Sequence, residues 1–159
     1  MFIYSVKAST LKFAALLLLS VVALSMAAFL LPDGAVVAVG NTALTKKDFE
    51  GVDSAEARLD FLKLCGWETE TEAVSVRDVT IPAVFDSVYA SYNLLQSDLG
   101  LDLSDYKNKT VKQYTYVVTN YDYDGTVYAN LLIYDGCVIG GDVASARADG
   151  FMKSLVKGA

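Results

Sequence analysis

The chain has 159 residues, no histidine, two cysteines and a formal net charge of −6. The acidic balance argues against nucleic-acid binding, which rewards basic patches, and against the soluble part lying on an anionic membrane face. The lack of histidine removes the commonest general base and the commonest transition-metal ligand, and two cysteines are too few for a disulfide framework.

Phe13 to Leu31 is an unbroken apolar run whose only polar side chains are Ser20 and Ser25. As a helix rising 1.5 Å per residue, roughly 19 residues nearly cross a hydrocarbon core of about 30 Å. The run predicts a retained single transmembrane helix. The competing reading is a signal peptide cleaved after Ser25-Met26-Ala27 or Val36-Val37-Ala38, which would leave a secreted protein. Lys7 and Lys12 lie closer to the run than Lys46 and Lys47, so the charge bias places the amino terminus in the cytoplasm and the rest outside. The expected organisation is a tail and anchor over residues 1–31, a tether over 32–52 and an extracytoplasmic domain over 53–159. The breakers Pro32-Asp33-Gly34 and Gly40-Asn41-Thr42 mark the tether.

A first helix is predicted from Asp53, with Asp53 and Glu56 as a capping box and Gly66 as its stop. Its apolar face reads Ala55, Leu59, Leu62 and Cys65. Trp67 to Ile81 reads as extended, with an irregularity at Arg77-Asp78 and with Glu68, Glu70 and Glu72 as a solvated face. Pro82 opens a second helix bearing Phe85, Val88, Tyr89, Tyr92, Leu95 and Leu99 at helical spacing, and Gly100 ends it. Three strands follow at about 110–119, 126–134 and 137–144, and Asp135-Gly136 between the last two is a strong hairpin signal. A short helical turn is expected near 150–155. The fold class is α+β: a small domain with a mainly antiparallel sheet and two helices on one of its faces.

With these segments in place, the sequence resembles domain of unknown function 4830, a family of Clostridia-type bacteria whose members usually follow an N-terminal hydrophobic segment. The resemblance rests on Phe61-Leu62, Gly66-Trp67-Glu68, Val79-Thr80-Ile81-Pro82, Phe85-Asp86, Val88-Tyr89 and Tyr92-Asn93. It continues in Tyr114-Thr115-Tyr116, Asn120-Tyr121, Asn130-Leu131-Leu132, Val138 to Asp142 and Gly150-Phe151-Met152. It implies an anchored extracytoplasmic domain and no particular chemistry. It also implies a Cys where this chain has Ala144, so any function of that Cys is missing here.

Three sites stand out. Asn120, Asp122 and Asp124, followed by Gly125, match the opening of a calcium loop, but Leu131 stands where the bidentate Glu is required; a hairpin loop of turn formers is the competing reading. In the strand 126–134, Val127, Ala129, Leu131 and Ile133 form an aliphatic face, and Tyr128, Asn130 and Tyr134 form the other together with Leu132. Tyr114 and Tyr116 are expected to extend that second face into a platform for an envelope protein, a peptide or a glycan. Ordinary cross-strand packing would use the same tyrosines. Gly140-Gly141-Asp142 predicts a bulge or a close backbone approach, with Asp142 as an acid, a ligand or an acceptor near a turn. Cys65 and Cys137 read as two separate buried thiols rather than a bridge. No catalytic constellation emerges and no cofactor is implied. The expected role is a membrane-anchored binding module, with an envelope-polymer enzyme using a carboxylate pair, or a calcium-stabilised module, as alternatives.

Overall fold

The computed structural model describes residues 37–39, 42–147 and 149–158. The apolar run 13–31 lies outside the described residues, and among those residues no helix is long and apolar enough to cross a membrane. Two short strands, β1 (Val37–Val39) and β2 (Thr42–Leu44), pair antiparallel. A 3-10 turn at Lys46–Phe49 leads to α1 (Ala55–Leu64), β3 (Ser75–Thr80) and α2 (Ser87–Gln96). Then come β4 (Thr110–Val117), β5 (Val127–Tyr134), β6 (Cys137–Ser145) and β7 (Met152–Ser154). The second sheet has the order β3-β4-β5-β6-β7 with every pair antiparallel, so the α+β class is as expected.

The core reaches back into the segment read as a tether. Leu44, Phe49 and Val52 are buried, the Phe49 ring lies 5.4 Å from that of Phe61, and the Val52 N–H donates to the Gly136 carbonyl at 2.8 Å. Three apolar residues spaced five and three apart among polar breakers carry no helix or strand period, so the sequence pattern does not reveal them.

The start of α1 is one residue later than expected. Ser54, not Asp53, is its N-cap, and the Ser54 hydroxyl accepts from the Ala57 N–H at 3.0 Å. Its end is a Schellman motif at Gly66 (φ +92°): Trp67 N–H reaches Leu62 O and Gly66 N–H reaches Lys63 O. The buried stripe is Arg58, Phe61, Leu62 and Cys65; Leu59 is half-buried and Ala55 is exposed.

β3 is a regular edge strand with unbroken register from Ser75↔Thr115 to Thr80↔Thr110, so the irregularity expected at Arg77-Asp78 is not there. Glu68, Glu70 and Glu72 are exposed, as read. The Asp135-Gly136 turn holds both residues at positive φ (47° and 74°), as this hairpin requires. The C-terminal segment is not a helical turn. Met152–Ser154 instead pairs with β6, covering backbone groups that a helix there would leave open.

The two helices lie on opposite faces of the sheet, not on one. Phe61, Leu62 and Cys65 of α1 pack with Trp67, Tyr116, Ala129, Leu131 and Val143. Phe85 ahead of α2, with Tyr89 and Tyr92 on it, packs instead over Val111, Leu132 and Ile139, joined by Ile81 and Leu103. The strand face that looked polar is apolar at Leu132, and tyrosine rings supply the remaining apolar area.

Candidate binding ledge beside a buried carboxylate

Cross-strand partners share a face of the sheet, so the register decides which predicted site residues meet. Thr115 pairs with Asn130 and Val117 with Tyr128, whereas Tyr114 pairs with Leu131 and Tyr116 with Ala129. Tyr114 and Tyr116 therefore face α1, while Tyr128, Asn130 and Tyr134 face α2, and the expected five-residue platform is not assembled. Tyr116 is 1% exposed and belongs to the core. Its hydroxyl accepts from Arg58 Nε–H at 2.9 Å, and the Arg58 guanidinium lies 3.9 Å from the Tyr114 ring centre. Tyr134 lies far along the other face, edge-on to Tyr106 at 5.7 Å. A one-residue change of register flips every side chain, and the loop joining β4 to β5 does not show its register in the sequence.

The α2 face carries a polar row across four strands: Thr115, Asn130, Asp142 and Ser154. Thr115 Oγ1–H donates to Asn130 Oδ1 at 2.8 Å, and Asn130 Nδ2–H donates to Asp142 Oδ2 at 2.9 Å. Tyr92 of α2 donates its hydroxyl to the other carboxylate oxygen at 3.0 Å. Asp142 is 2% exposed and has no cationic partner among the described residues. Burial raises its pKa, and the bonds from Asn130 and Tyr92 only partly oppose that rise. The Tyr92 phenol is pushed far up, first by burial and then by the neighbouring carboxylate, so it stays a neutral donor.

Gly140 and Gly141 give the sequence signal its physical cause. The β5–β6 register shifts at Leu132/Ile133, and the Gly141 N–H donates to Gln96 Oε1 at 2.8 Å. A Cβ on Gly141 would lie 2.5 Å from Asn130 O, and one on Gly140 would lie 3.0 Å from Gln96 Oε1. Both the bulge and the close approach are present. Asp142 itself does not cap a turn; its partners are side chains. Tyr92 and Gln96, one helical turn apart, thus fasten α2 to this face.

The same Tyr92 forms part of a groove of about 520 Å³ with Val88, Tyr89, Ser91, Leu95 and Met152. Val88 is 76% and Met152 53% exposed. Met152 ends a second row, Val117, Tyr128, Ala144 and Met152, on the α2 face. From Ser87 to Ser97 no residue is charged, although 20% of the chain is. The groove lining carries no charged side chain; of the sequence candidates, Tyr128 shares the strand row of Met152 and Asn130 the row of Asp142, and neither lines the groove itself.

A family model described as Domain of unknown function (DUF4830) matches residues 61–143, just over half of the chain. The chain belongs to this family. No curated protein and no solved structure matches it. The matched segment of the DUF4830 domain runs from α1 into β6 and holds Tyr92, Asn130 and Asp142, while Met152 lies beyond it.

Elsewhere in the DUF4830 domain, Asn120 donates Nδ2–H to Gly66 O at 3.1 Å and leaves its Oδ1 buried without a partner. Lys157 Nζ donates to the Asn120 carbonyl at 3.1 Å, and Asp122 and Asp124 are exposed. Among the described residues no three His, Cys, Asp or Glu side chains converge on a point that could hold a metal ion. Both thiols are free: Cys65 is buried, with its pKa pushed up to about 12 by burial, and Cys137 is only half-buried.

Proposed function

We propose that this DUF4830 protein is a membrane-tethered extracytoplasmic binding module that recognises an apolar partner of the cell envelope along the α2 ledge. The observation that carries this reading is the open flank of α2, which presents Val88 and Leu95 and no charge in an acidic protein. Grooves of about 300–1,000 Å³ with mainly apolar walls and a few polar groups are the usual form of a recognition site. Here the polar groups on the lining are the hydroxyls of Ser91 and Tyr89, since that of Tyr92 is held by Asp142. Placement outside the cell is supported by the apolar run 13–31 and the lysine bias ahead of it.

Two measurements test the two halves of the proposal. Protease added to intact protoplasts should trim a C-terminally tagged, membrane-bound chain; protection until lysis would place the domain inside and end the proposal. A photo-crosslinker at Ser91 should capture envelope components, and the same group at Glu56, an exposed position on α1, should capture far less. Equal capture at both positions would deny the ledge a special role.

A further inference from the structure

We propose that the partner of the α2 ledge is the outer surface of the bilayer that anchors the chain; this rests on the tethered, extracytoplasmic reading above. The first argument is distance. The apolar run ends at Leu31 and the core begins at Leu44, so twelve residues join them. Fully extended they span at most about 40 Å, at 3.3–3.6 Å per residue. On the tethered reading the domain is held at the membrane, and a link of so few residues gives an effective concentration on the order of mM. A surface too weak to bind lipid from solution is then sufficient.

The second argument is chemistry. Val88, Ser91 and Leu95 recur on one flank of α2, and Val84 just ahead of the helix and Leu94 within it are 81% and 70% exposed. Binding of a helix at the interface scales with the apolar area it buries in the acyl boundary, and Val84, Val88, Leu94 and Leu95 supply that area here without the basic face that adds attraction to anionic lipid. Tyr89 and Tyr92 line the groove but pack toward the sheet, with the Tyr92 hydroxyl held by Asp142, so the contact with lipid falls to the exposed aliphatic side chains. The net charge of −6 opposes contact with anionic lipid through most of the surface; no residue from Ser87 to Ser97 is charged, and the exposed Asp86 and Asp98 bound that stretch, so the lipid it suits is zwitterionic.

The third argument is size. Ten helical residues extend about 15 Å, and one such flank falls well short of the roughly 800 Å² per partner of a stable protein pair. A second copy of the chain would need more surface than the ledge offers.

The test uses the full chain reconstituted in zwitterionic phosphatidylcholine vesicles. Cys137→Ser removes the half-buried thiol, and Ser91→Cys carries an environment-sensitive fluorophore; Glu56→Cys is the reference site. A quencher on the lipid acyl chains should quench the Ser91 probe at least threefold more than the Glu56 probe. Val88→Asp and Met152→Asp should abolish that difference with an unchanged Tm, since both side chains are more than half exposed. A Ser91 probe open to aqueous iodide and untouched by the lipid quencher overturns the bilayer assignment. If that probe is untouched by lipid yet crosslinks to an envelope protein in cells, the bilayer assignment fails while the ledge remains a recognition surface.

Discussion

Replacing Asp142 separates two effects that its burial combines. Asp142→Ala removes the acceptor of two buried donors, the Tyr92 hydroxyl and the Asn130 amide. Each donor left without a partner costs about 1–3 kcal/mol, so the loss is about 2–6 kcal/mol of a total that is typically 5–15 kcal/mol. Asp142→Asn should cost less than about 1 kcal/mol at neutral pH, because the row can reverse its polarity. Asn130 turns its amide to accept from the new Nδ2, Thr115 Oγ1 then accepts from Asn130, and the new Oδ1 still accepts from Tyr92. The pH dependence gives an independent check. The native pKa of Asp142 lies above its ordinary value, so the folded state holds the proton more tightly than the unfolded state. Its contribution to stability is fully present below the ordinary carboxylate value and is lost as the pH rises through the native pKa. Asp142→Asn removes that slope. Urea unfolding between pH 4 and 8, followed by the single tryptophan, Trp67, reads all of this, because Trp67 is 3% exposed and its indole N–H donates to the Leu155 carbonyl. The reasoning is refuted if Asp142→Asn costs as much as Asp142→Ala, or if the slope survives in Asp142→Asn.

Further outcomes follow from other parts of the fold. Arg58→Ala should destabilise by about 2–4 kcal/mol, because it leaves the Tyr116 hydroxyl and the Asp53 carbonyl without their guanidinium donor and strips the Tyr114 ring of its stacked cation; chemical denaturation measures it. Gly141→Ala should cost about 1–3 kcal/mol by the same assay, since the added carbon would meet backbone rather than a flexible side chain. A thiol reagent on the native chain should label Cys137 quickly and Cys65 only after unfolding, as Cys65 is 0% exposed and held as the thiol. Addition of 5 mM calcium should leave the Tm unchanged; a rise that Asp122→Asn plus Asp124→Asn abolishes would instead make the 120–125 loop a calcium site.

What the sequence shows clearly are features whose cause is local. The Asp135-Gly136 turn and the stops at Gly66 and Gly100 need positive φ, which only a few residues adopt, so the residue type announces the conformation. The alternation of Val127, Ala129 and Leu131 against Tyr128 and Asn130 is local too, and it describes β5 correctly. What the sequence hides are pairings between distant segments. Tyr114 sits beside Leu131 rather than beside Asn130 because of the loop geometry between residues 118 and 126, and nothing in the composition of that loop states it. The side on which α2 docks is equally remote from its own sequence. It follows from Gly140, whose missing side chain lets Gln96 approach, and from the Gly141 N–H that Gln96 accepts, and these lie over forty residues downstream.

That remote fastening gives the buried acceptor at position 142 a structural role. The composition of α2 is mixed: Ala90, Leu94, Leu95 and Gln96 are good helix formers, the Ser, Tyr, Asn and Val residues are middling, and no charged pair supports the exposed side. Packing alone would tolerate a rotation about the helix axis, since apolar or small side chains occur on most of its circumference. Tyr92 bonded to Asp142 and Gln96 bonded to Gly141 remove that freedom, because the two donors and acceptors sit on one stripe and are matched to fixed positions on β6. The charge costs stability, as the raised pKa records, and in exchange it fixes the angular setting of the helix. With that setting fixed, Val88, Ser91 and Leu95 can only point outward, toward Met152 and the open end of the sheet. Asp142 therefore acts at one remove from the ledge: loosening it should disturb the setting of Val88, Ser91 and Leu95 before it unfolds the domain.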